Sequence, residues 1–172
     1  MADLTLIVTG GTLDKDYDTL TGALTLTQTH IHQILAQAHL GYSPQVIPLM
    51  LKDSLDMTDT DRQHLIQACQ NTQSQHLVIT HGTDTLADSA NACLQAQRQA
   101  PMAPLAQKTI VFTGAMRPWA LGHSDTLFNI GAALTAAQCL PSGVFVCMNG
   151  QIFAGDQVQK NTEKGVFEAK PN

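Results

Sequence analysis

Two threonines in this chain each follow glycine directly after an apolar run, in positions where a hydroxyl could do chemistry. Thr12 follows a glycine pair, and Thr83 follows a single glycine and precedes Asp84. A hydroxyl needs a base to act as a nucleophile, and a desolvated lysine such as Lys160 can supply one. Backbone N–H groups at a helix start near Thr83 would stabilise a developing oxyanion. These residue types are suited to acyl transfer, but they do not identify the substrate.

The segment before Thr12 predicts a buried strand that ends in a sharp turn. Leu4 and residues 6–8 form a short apolar run, which is typical of a strand buried on both faces. Gly10 and Gly11 permit a sharp turn that leaves Thr12 just beyond the carboxyl end of the strand. Ligands of open α/β sheets bind at that edge. The alternative is a simple glycine turn in which Thr12 hydrogen-bonds its own backbone.

Three further loops carry polar side chains directly after predicted strands. These strands are predicted over residues 45–49, 76–80 and 109–112. Their loops hold Ser54, Thr83 with Asp84, and Arg117. Right-handed crossovers bring all strand-to-helix loops of a parallel sheet to one edge, so we expect these side chains to converge with Thr12. For Thr83 and Asp84 the alternative is ordinary capping of the following helix.

Helix starts are predicted from capping residues that precede apolar positions at helical spacing. Thr27 is the expected N-cap of the first helix. Thr58 with Asp61 resembles a capping box, and Ser124 or Asp125 is expected to cap the last helix.

Alternating strands and helices predict an α/β fold. We expect three layers: a mostly parallel sheet with helices on both faces and a C-terminal antiparallel hairpin, as in Rossmann or flavodoxin-like proteins. The hairpin is predicted over 143–154, because Asn149-Gly150 is a strong turn signal. Residues 1–172 are expected to form a single domain.

Composition narrows the classes of partner. The formal charge is −5, and the nine Lys and Arg residues form no cluster, which argues against nucleic acid or an anionic membrane as a partner. A small neutral or zwitterionic ligand fits better. The N-terminus lacks a basic region and a long apolar run, so a cytoplasmic protein is expected. Four cysteines are expected to be buried, reduced thiols: Cys69, Cys93, Cys139 and Cys147.

The polar loop over residues 13–22 is long enough to act as a lid. Tyr17 is its only aromatic residue and could close over a ligand, although an exposed tyrosine without a role fits equally well. His30 and His32 follow this loop but do not share a helix face, so no metal site is expected there.

Two of these motifs resemble the signature motifs of the bacterial-type L-asparaginase family. They are Thr-Gly-Gly-Thr-Leu over residues 9–13 and Thr-His-Gly-Thr-Asp-Thr over residues 80–85. Three shorter segments support the resemblance: Ser-Leu-Asp-Met at 54–57, Gly-Ala-Met-Arg-Pro at 114–118 and Asp-Gln-Val-Gln-Lys-Asn-Thr at 156–162. The similarity covers nearly the whole chain.

The resemblance implies hydrolysis of the L-asparagine side-chain amide to aspartate and ammonia through a threonine acyl-enzyme, without metal or cofactor. It implies that Thr12 is the nucleophile and Tyr17 the lid tyrosine, and that Thr83, Asp84 and Lys160 form a second catalytic set. The residues alone leave open which threonine attacks first.

The same resemblance implies a set of substrate contacts. Ser54 would bind the α-carboxylate of asparagine and Asp84 its α-amino group, with Gly11 and Gly82 lining the site. A homo-oligomer, either a dimer or a tetramer, is also expected.

Three departures from the family pattern bear on activity. Leu55 stands where the periplasmic members usually have glutamine, which removes two amide donors and one acceptor. The loop from Thr12 to Tyr17 is shorter than in those members. The family's smaller C-terminal domain is not expected here, so the chain resembles a short, single-domain variety with a more open site and little glutaminase activity.

Two other functions are compatible with parts of the sequence. One is a non-catalytic domain that binds a small amino acid, although such a domain has no need of a nucleophile. The other is a nucleotide-binding domain that uses Gly10-Gly11 as a phosphate turn, although neither a G-x-G-x-x-G motif nor a P-loop lysine is present.

Overall fold

Six strands form the central sheet of the computed structural model, which describes residues 3–171. Over these residues the chain has ten strands in all: β1 (Leu4–Gly10), β2 (Asp16–Tyr17), β3 (Leu24–Thr25), β4 (Gln45–Lys52), β5 (His76–Thr80), β6 (Thr109–Thr113), β7 (Gly143–Met148), β8 (Gln151–Ala154), β9 (Val158–Asn161) and β10 (Val166–Ala169). The helices are α1 (Ile31–Gln37), α2 (Asp59–Asn71), α3 (Leu86–Gln99) and α4 (Thr126–Cys139).

The central sheet has the order β4-β1-β5-β6-β7-β8. Its first five strands are parallel, and β8 pairs antiparallel with β7. The chain proceeds from β1 to β4 on one side and from β5 onward on the other. The carboxyl ends of the neighbouring strands β1 and β5 therefore form a topological switch point, where ligands of doubly wound sheets bind. This arrangement confirms the predicted fold class.

Two apolar layers separate the sheet from its helices. Side chains that alternate along β1 enter opposite layers: Ile7 packs with α2 and α3, whereas Leu6 and Val8 pack with α1 and α4. All seven residues of β1 are buried. The apolar run at the N-terminus is therefore the centre of the fold because both of its faces are covered.

The three predictions about helix capping had different outcomes. Asp125 is the N-cap residue of α4, but its carboxylate accepts the Met116 N–H instead of a helix N–H. The Thr58 capping box is confirmed, since the Asp61 N–H donates to Thr58 Oγ1 and the Thr58 N–H donates to the Asp61 carboxylate. The prediction of Thr27 as a helix N-cap was wrong, because α1 begins at Ile31. The Asp14 carboxylate takes hydrogen bonds from the Thr29 hydroxyl and from the next backbone N–H, which fixes a later start.

The predicted C-terminal hairpin is confirmed as β7 and β8, with Asn149 (φ 54°) and Gly150 (φ 75°) in its turn. Two further hairpins were not predicted. β2 pairs with β3 inside the loop expected to be a lid, and β9 pairs with β10 in the tail. Each forms a two-stranded sheet separate from the central one.

The cysteines follow the expectation with one exception. Cys69, Cys93 and Cys147 are buried free thiols, whereas Cys139 at the end of α4 is exposed. Over residues 3–171, no helix has the length and apolar character needed to cross a membrane.

Candidate active site

Three loops meet backbone to backbone at the carboxyl edge of the sheet. A Cβ atom added to Gly11 would lie 2.3 Å from the Gly82 nitrogen, and one added to Gly82 would lie 2.6 Å from Ser54 Oγ. Thr85 Oγ1 donates to the Ser54 carbonyl at 2.8 Å, which joins the loop after β5 to the loop after β4. Only glycine permits such close approach. The loops that carry Thr12, Ser54 and Thr83 therefore meet as expected, and two glycines permit their close contact.

Lys160 reaches this edge from β9. Its ammonium donates to Thr83 Oγ1 at 2.9 Å and to Asp84 Oδ1 at 2.6 Å. The Lys160 side chain is 16% exposed and that of Asp84 is 41% exposed, so the ion pair opens to solvent on the carboxylate side. Lys160 thus contacts both of the groups with which it was predicted to act, although it is 76 positions from Asp84 in sequence.

Thr83 and Asp84 do not cap the helix that follows them. α3 begins at Leu86 with Thr85 as its N-cap residue, and that position makes no side-chain capping hydrogen bond. The capping alternative is therefore wrong, because Lys160 engages both side chains.

Ser54 carries a buried hydroxyl that lacks a hydrogen-bond partner among residues 3–171. The residue is 1% exposed and begins a short 3-10 turn, Ser54–Asp56, in which the Asp53 carboxylate accepts the Leu55 N–H. A buried polar atom without a partner is costly, so a ligand acceptor or donor at this point would be favoured. Leu55, the next residue, is 71% exposed.

Thr12 begins a 3-10 turn, Thr12–Asp14, that the backbone closes. The Asp14 N–H donates to the Gly11 carbonyl and the Lys15 N–H to the Thr12 carbonyl. Gly11 has φ 89° and donates its own N–H to the Lys52 carbonyl at 3.0 Å. The turn is complete without the Thr12 hydroxyl, and the residue is only partly buried.

Tyr17 lies on the β2–β3 hairpin and is 54% exposed. The base of this hairpin is tethered on two sides. Lys15 pairs with Asp53, and their hydrogen bond holds the pKa of the Asp53 carboxyl below its usual value. Asp16 lies 2.9 Å from His30 Nε2, and the His30 ring packs on Trp119 with ring centroids 5.3 Å apart. The hairpin is therefore anchored at its base, whereas its tyrosine faces solvent.

Arg117 does not join the convergent set. Its guanidinium donates to the Gly122 and Leu121 carbonyls within its own loop. The loop joins the site through Gly114 instead, where an added Cβ would lie 2.4 Å from the His81 carbonyl. Sequence reasoning identified the correct loop but the wrong residue in it.

His81 is a site residue that the sequence analysis did not single out. It is fully buried, and its Nδ1 lies 2.8 Å from the Gly82 carbonyl. Burial lowers the pKa of His81 to about 4, so the ring is neutral at pH 7 and its Nδ1–H donates to that carbonyl. The sequence does contain a signal for a buried His81: the residue lies between an apolar strand and Gly82, which packs tightly against Ser54.

The sheet order and the site at its switch point define a doubly wound α/β protein with its functional edge between β1 and β5. The family model described as asparaginase, N-terminal, matches residues 3–169. The chain belongs to the asparaginase family through this N-terminal domain.

The chain is similar to proteins with different described functions. The chain is 31% identical over 173 residues to a glutamyl-tRNA(Gln) amidotransferase subunit from Haloquadratum walsbyi, covering 92% of this chain and 37% of that protein. It is 38% identical over 127 residues to an L-asparaginase from Dirofilaria immitis, covering 71% of this chain and 20% of that protein. The chain thus spans well under half the length of these relatives.

A solved structure gives the same family. The thermostable L-asparaginase from Thermococcus kodakarensis superimposes with a TM-score of 0.79 at 26% identity, covering 96% of this chain and 50% of that one.

Proposed function

We propose that this protein is an L-asparagine amidohydrolase that releases L-aspartate and ammonia. The observation that carries the proposal is the Lys160 ammonium, which contacts Thr83 Oγ1 and Asp84 Oδ1 at the edge where Thr12 and Ser54 also lie. An amine that contacts both a hydroxyl and a carboxylate can serve in proton transfer. Membership of the asparaginase family supports the same reaction class.

In the proposed reaction Thr12 Oγ attacks the side-chain amide carbon of asparagine. Its proton passes to the leaving amide nitrogen, the C–N bond breaks, and ammonia departs from a Thr12 ester. Water held by Thr83 then attacks the ester, and its proton returns to Thr12 as aspartate leaves. Lys160, oriented by Asp84, relays protons through the Thr83 hydroxyl. All atoms come from asparagine, water and side chains, so the reaction needs no cofactor.

The substrate's charged groups have candidate partners in the same site. The buried Ser54 hydroxyl suits the α-carboxylate, since it has no partner within the described part of the chain. Asp84 is 41% exposed and suits the α-amino group. Gly11 and Gly82 let the loops that carry these groups pack closely enough to line one site. Tyr17 would cover the substrate after movement of the β2–β3 hairpin. All of these groups lie on one chain, so the expected homo-oligomer is a separate proposal.

The proposal is tested by ammonia release from L-asparagine together with mass spectrometry of protein trapped with a slow amide substrate. We expect acylation at Thr12, and we expect Thr12→Ala to lower kcat roughly 10³-fold without loss of folding. Near-normal turnover by the folded variant, or acylation at another residue, would contradict the role of Thr12.

The runner-up is a non-catalytic amino-acid-binding domain derived from an asparaginase. It predicts asparagine binding by calorimetry with no ammonia release at any enzyme concentration. An assay with and without added nucleotide also tests the nucleotide-binding alternative. The relatives described as amidotransferase subunits make glutamine and asparagine the two amides to assay first.

A further inference from the structure

The β9–β10 hairpin carries Lys160 and, within residues 3–171, forms its own two-stranded sheet beside the central one. Two side chains fix it to the core: Val158 of β9 and Phe167 of β10, both fully buried. Apolar contacts are non-directional, so they hold the hairpin on the core without setting its orientation to a fraction of an ångström. An ammonium that must touch two oxygen atoms requires a directional restraint as well.

That restraint is a hydrogen bond from β10 to the β7–β8 turn. The Phe167 N–H donates to Asn149 Oδ1 at 2.9 Å. Phe167 is also the register partner of Lys160 in the antiparallel hairpin. Because its N–H points away from β9, the two residues form a non-hydrogen-bonded pair, in which side chains on the same face lie closest.

Asn149 is itself linked to the Gly114 loop through Asn129 of α4. Its N–H donates to Asn129 Oδ1 at 3.3 Å, and Asn129 Nδ2 donates to the Gly114 carbonyl at 3.0 Å and to Asp125 at 2.9 Å. Asn129 is 1% exposed. Asp125 also accepts the N–H groups of Met116 and of the next residue, which fixes the Gly114 loop.

We propose that Asn149 is a positioning residue that sets the place of Lys160 through the backbone of Phe167, and that Asn129 couples this placement to the Gly114 loop. The effect on turnover rests on the proposed asparaginase function. The effect on the Lys160 ammonium does not, since it concerns only a contact within the chain. Asn149 touches no reacting atom.

Two substitutions of Asn149 distinguish the effect of its side-chain acceptor from the effect of its backbone conformation. Asn149 has φ 54°, a left-handed conformation that glycine adopts without strain. Asn149→Gly removes the acceptor and keeps the turn, whereas Asn149→Asp keeps an acceptor oxygen at the same place. His39→Gly is the matched control, because His39 has φ 49° and is exposed after α1, away from the site. Asn149→Ser, whose side chain is too short to reach, replaces Asn149→Gly should that variant not fold.

The first measurement is acetylation of each lysine by acetic anhydride, followed by mass spectrometry. Lys164, with a side chain 70% exposed on the same hairpin, serves as the internal reference. We expect Asn149→Gly to raise labelling of Lys160 relative to Lys164 about threefold or more, because loss of the restraint lets the ammonium leave its two partners. Asn149→Asp and His39→Gly should resemble the unmodified protein.

The second measurement is asparagine turnover. We expect Asn149→Gly to lower kcat about 10-fold to 100-fold with a smaller change in KM, since misplacement acts on the proton-transfer group. Asn149→Asp should restore most of kcat. Unchanged Lys160 labelling in Asn149→Gly, or equal effects of the Gly and Asp variants, would overturn the positioning role. Absence of turnover in every protein, including the unmodified one, would count against the asparaginase function alone.

Discussion

At the scale of single residues, the site depends on a lysine contact that unites distant parts of the chain. The Lys160 ammonium bonds to Thr83 and Asp84, and two glycines press the neighbouring loops together. The residue types indicated acyl transfer from the sequence alone. Their distances could not be predicted, because they depend on a hairpin in the tail that had no sequence signal.

Removal of the amine tests this contact directly. Lys160→Met keeps the apolar stem and removes the charged donor, so we expect kcat for asparagine to fall at least about 10²-fold with little change in stability. Lys164→Met is the control, because its side chain is 70% exposed and its nearest carboxylate oxygen is 3.8 Å away. Activity retained by Lys160→Met would place the base elsewhere.

His81 gives a pH dependence of stability at the residue scale. Its pKa falls from 6.5 to about 4 on folding because the ring is buried. The unfolded chain therefore binds a proton that the folded chain does not between these values. The free energy of unfolding is unaffected by His81 above pH 6.5 and should fall by about 1.4 kcal/mol per pH unit as the pH decreases toward 4.

Urea unfolding of the protein and of His81→Asn across this pH range measures the contribution. Asparagine places an amide near the position of Nδ1 but does not titrate. The difference in stability between the two proteins should change with the expected slope, whereas His64→Asn, exposed on α2, should leave the profile unchanged. Parallel profiles for the His81 variant and the unmodified protein would refute this account.

At the scale of elements, the sequence predicted those whose signals are local. The capping box at Thr58, the Asn-Gly hairpin turn and the fully apolar β1 all appear as expected. Predictions failed where a contact with a residue distant in sequence replaces the expected local hydrogen bond. The Asp14 carboxylate binds the His30 N–H, so α1 starts later than predicted. The Lys160 ammonium binds the Thr83 hydroxyl, which therefore does not cap α3.

Lys108 is a buried cation that joins two elements at the other end of the sheet. Its Nζ donates to the Thr72 carbonyl at 2.6 Å and to the Ser74 carbonyl at 2.7 Å, which satisfies carbonyls just after α2. Burial lowers the pKa of Lys108. Lys108→Met would leave both carbonyls without this donor, so we expect a loss of roughly 1–3 kcal/mol in the free energy of unfolding.

The matched control is Lys170→Met, which removes an exposed lysine whose Nζ also donates to a backbone carbonyl, that of Asp156. That change should stay within about 0.5 kcal/mol. Denaturant titration measures both. Equal stability of Lys108→Met and the unmodified protein would mean that relief of charge burial offsets the lost hydrogen bonds.

At the scale of the whole molecule, the site is open on the side of Asp84, and Leu55 offers no amide to a substrate. A missing charge-assisted hydrogen bond typically costs about 1.5–3 kcal/mol, so KM for asparagine should lie in the millimolar range. Glutamine should react more slowly, because its additional methylene displaces the amide carbon from Thr12, and ~1 Å of displacement can cost about 10²-fold.

The ratio of kcat/KM for asparagine to that for glutamine measures this preference. Equal values, or a micromolar KM for asparagine, would contradict the open site, because other residues would then supply the missing contacts.

The overall fold was more predictable than the site. Alternating apolar strands and helices determine a parallel sheet, and its handedness brings the loops together. The contacts within the site depend on atoms tens of residues apart, such as the Phe167 N–H on Asn149 and the Lys160 ammonium on Thr83. Such pairs leave no periodic trace in a sequence.

The two hairpins outside the central sheet should differ in the rate at which their backbone amide hydrogens exchange with solvent. The β2–β3 hairpin exposes Tyr17 and Leu24, whereas β9–β10 buries Val158 and Phe167. Backbone amides of β2–β3 should therefore exchange through frequent local opening, those of β9–β10 through rarer events, and those of β1 only when the whole protein unfolds. The β2–β3 hairpin would open many times before the hairpin that carries Lys160 opens once.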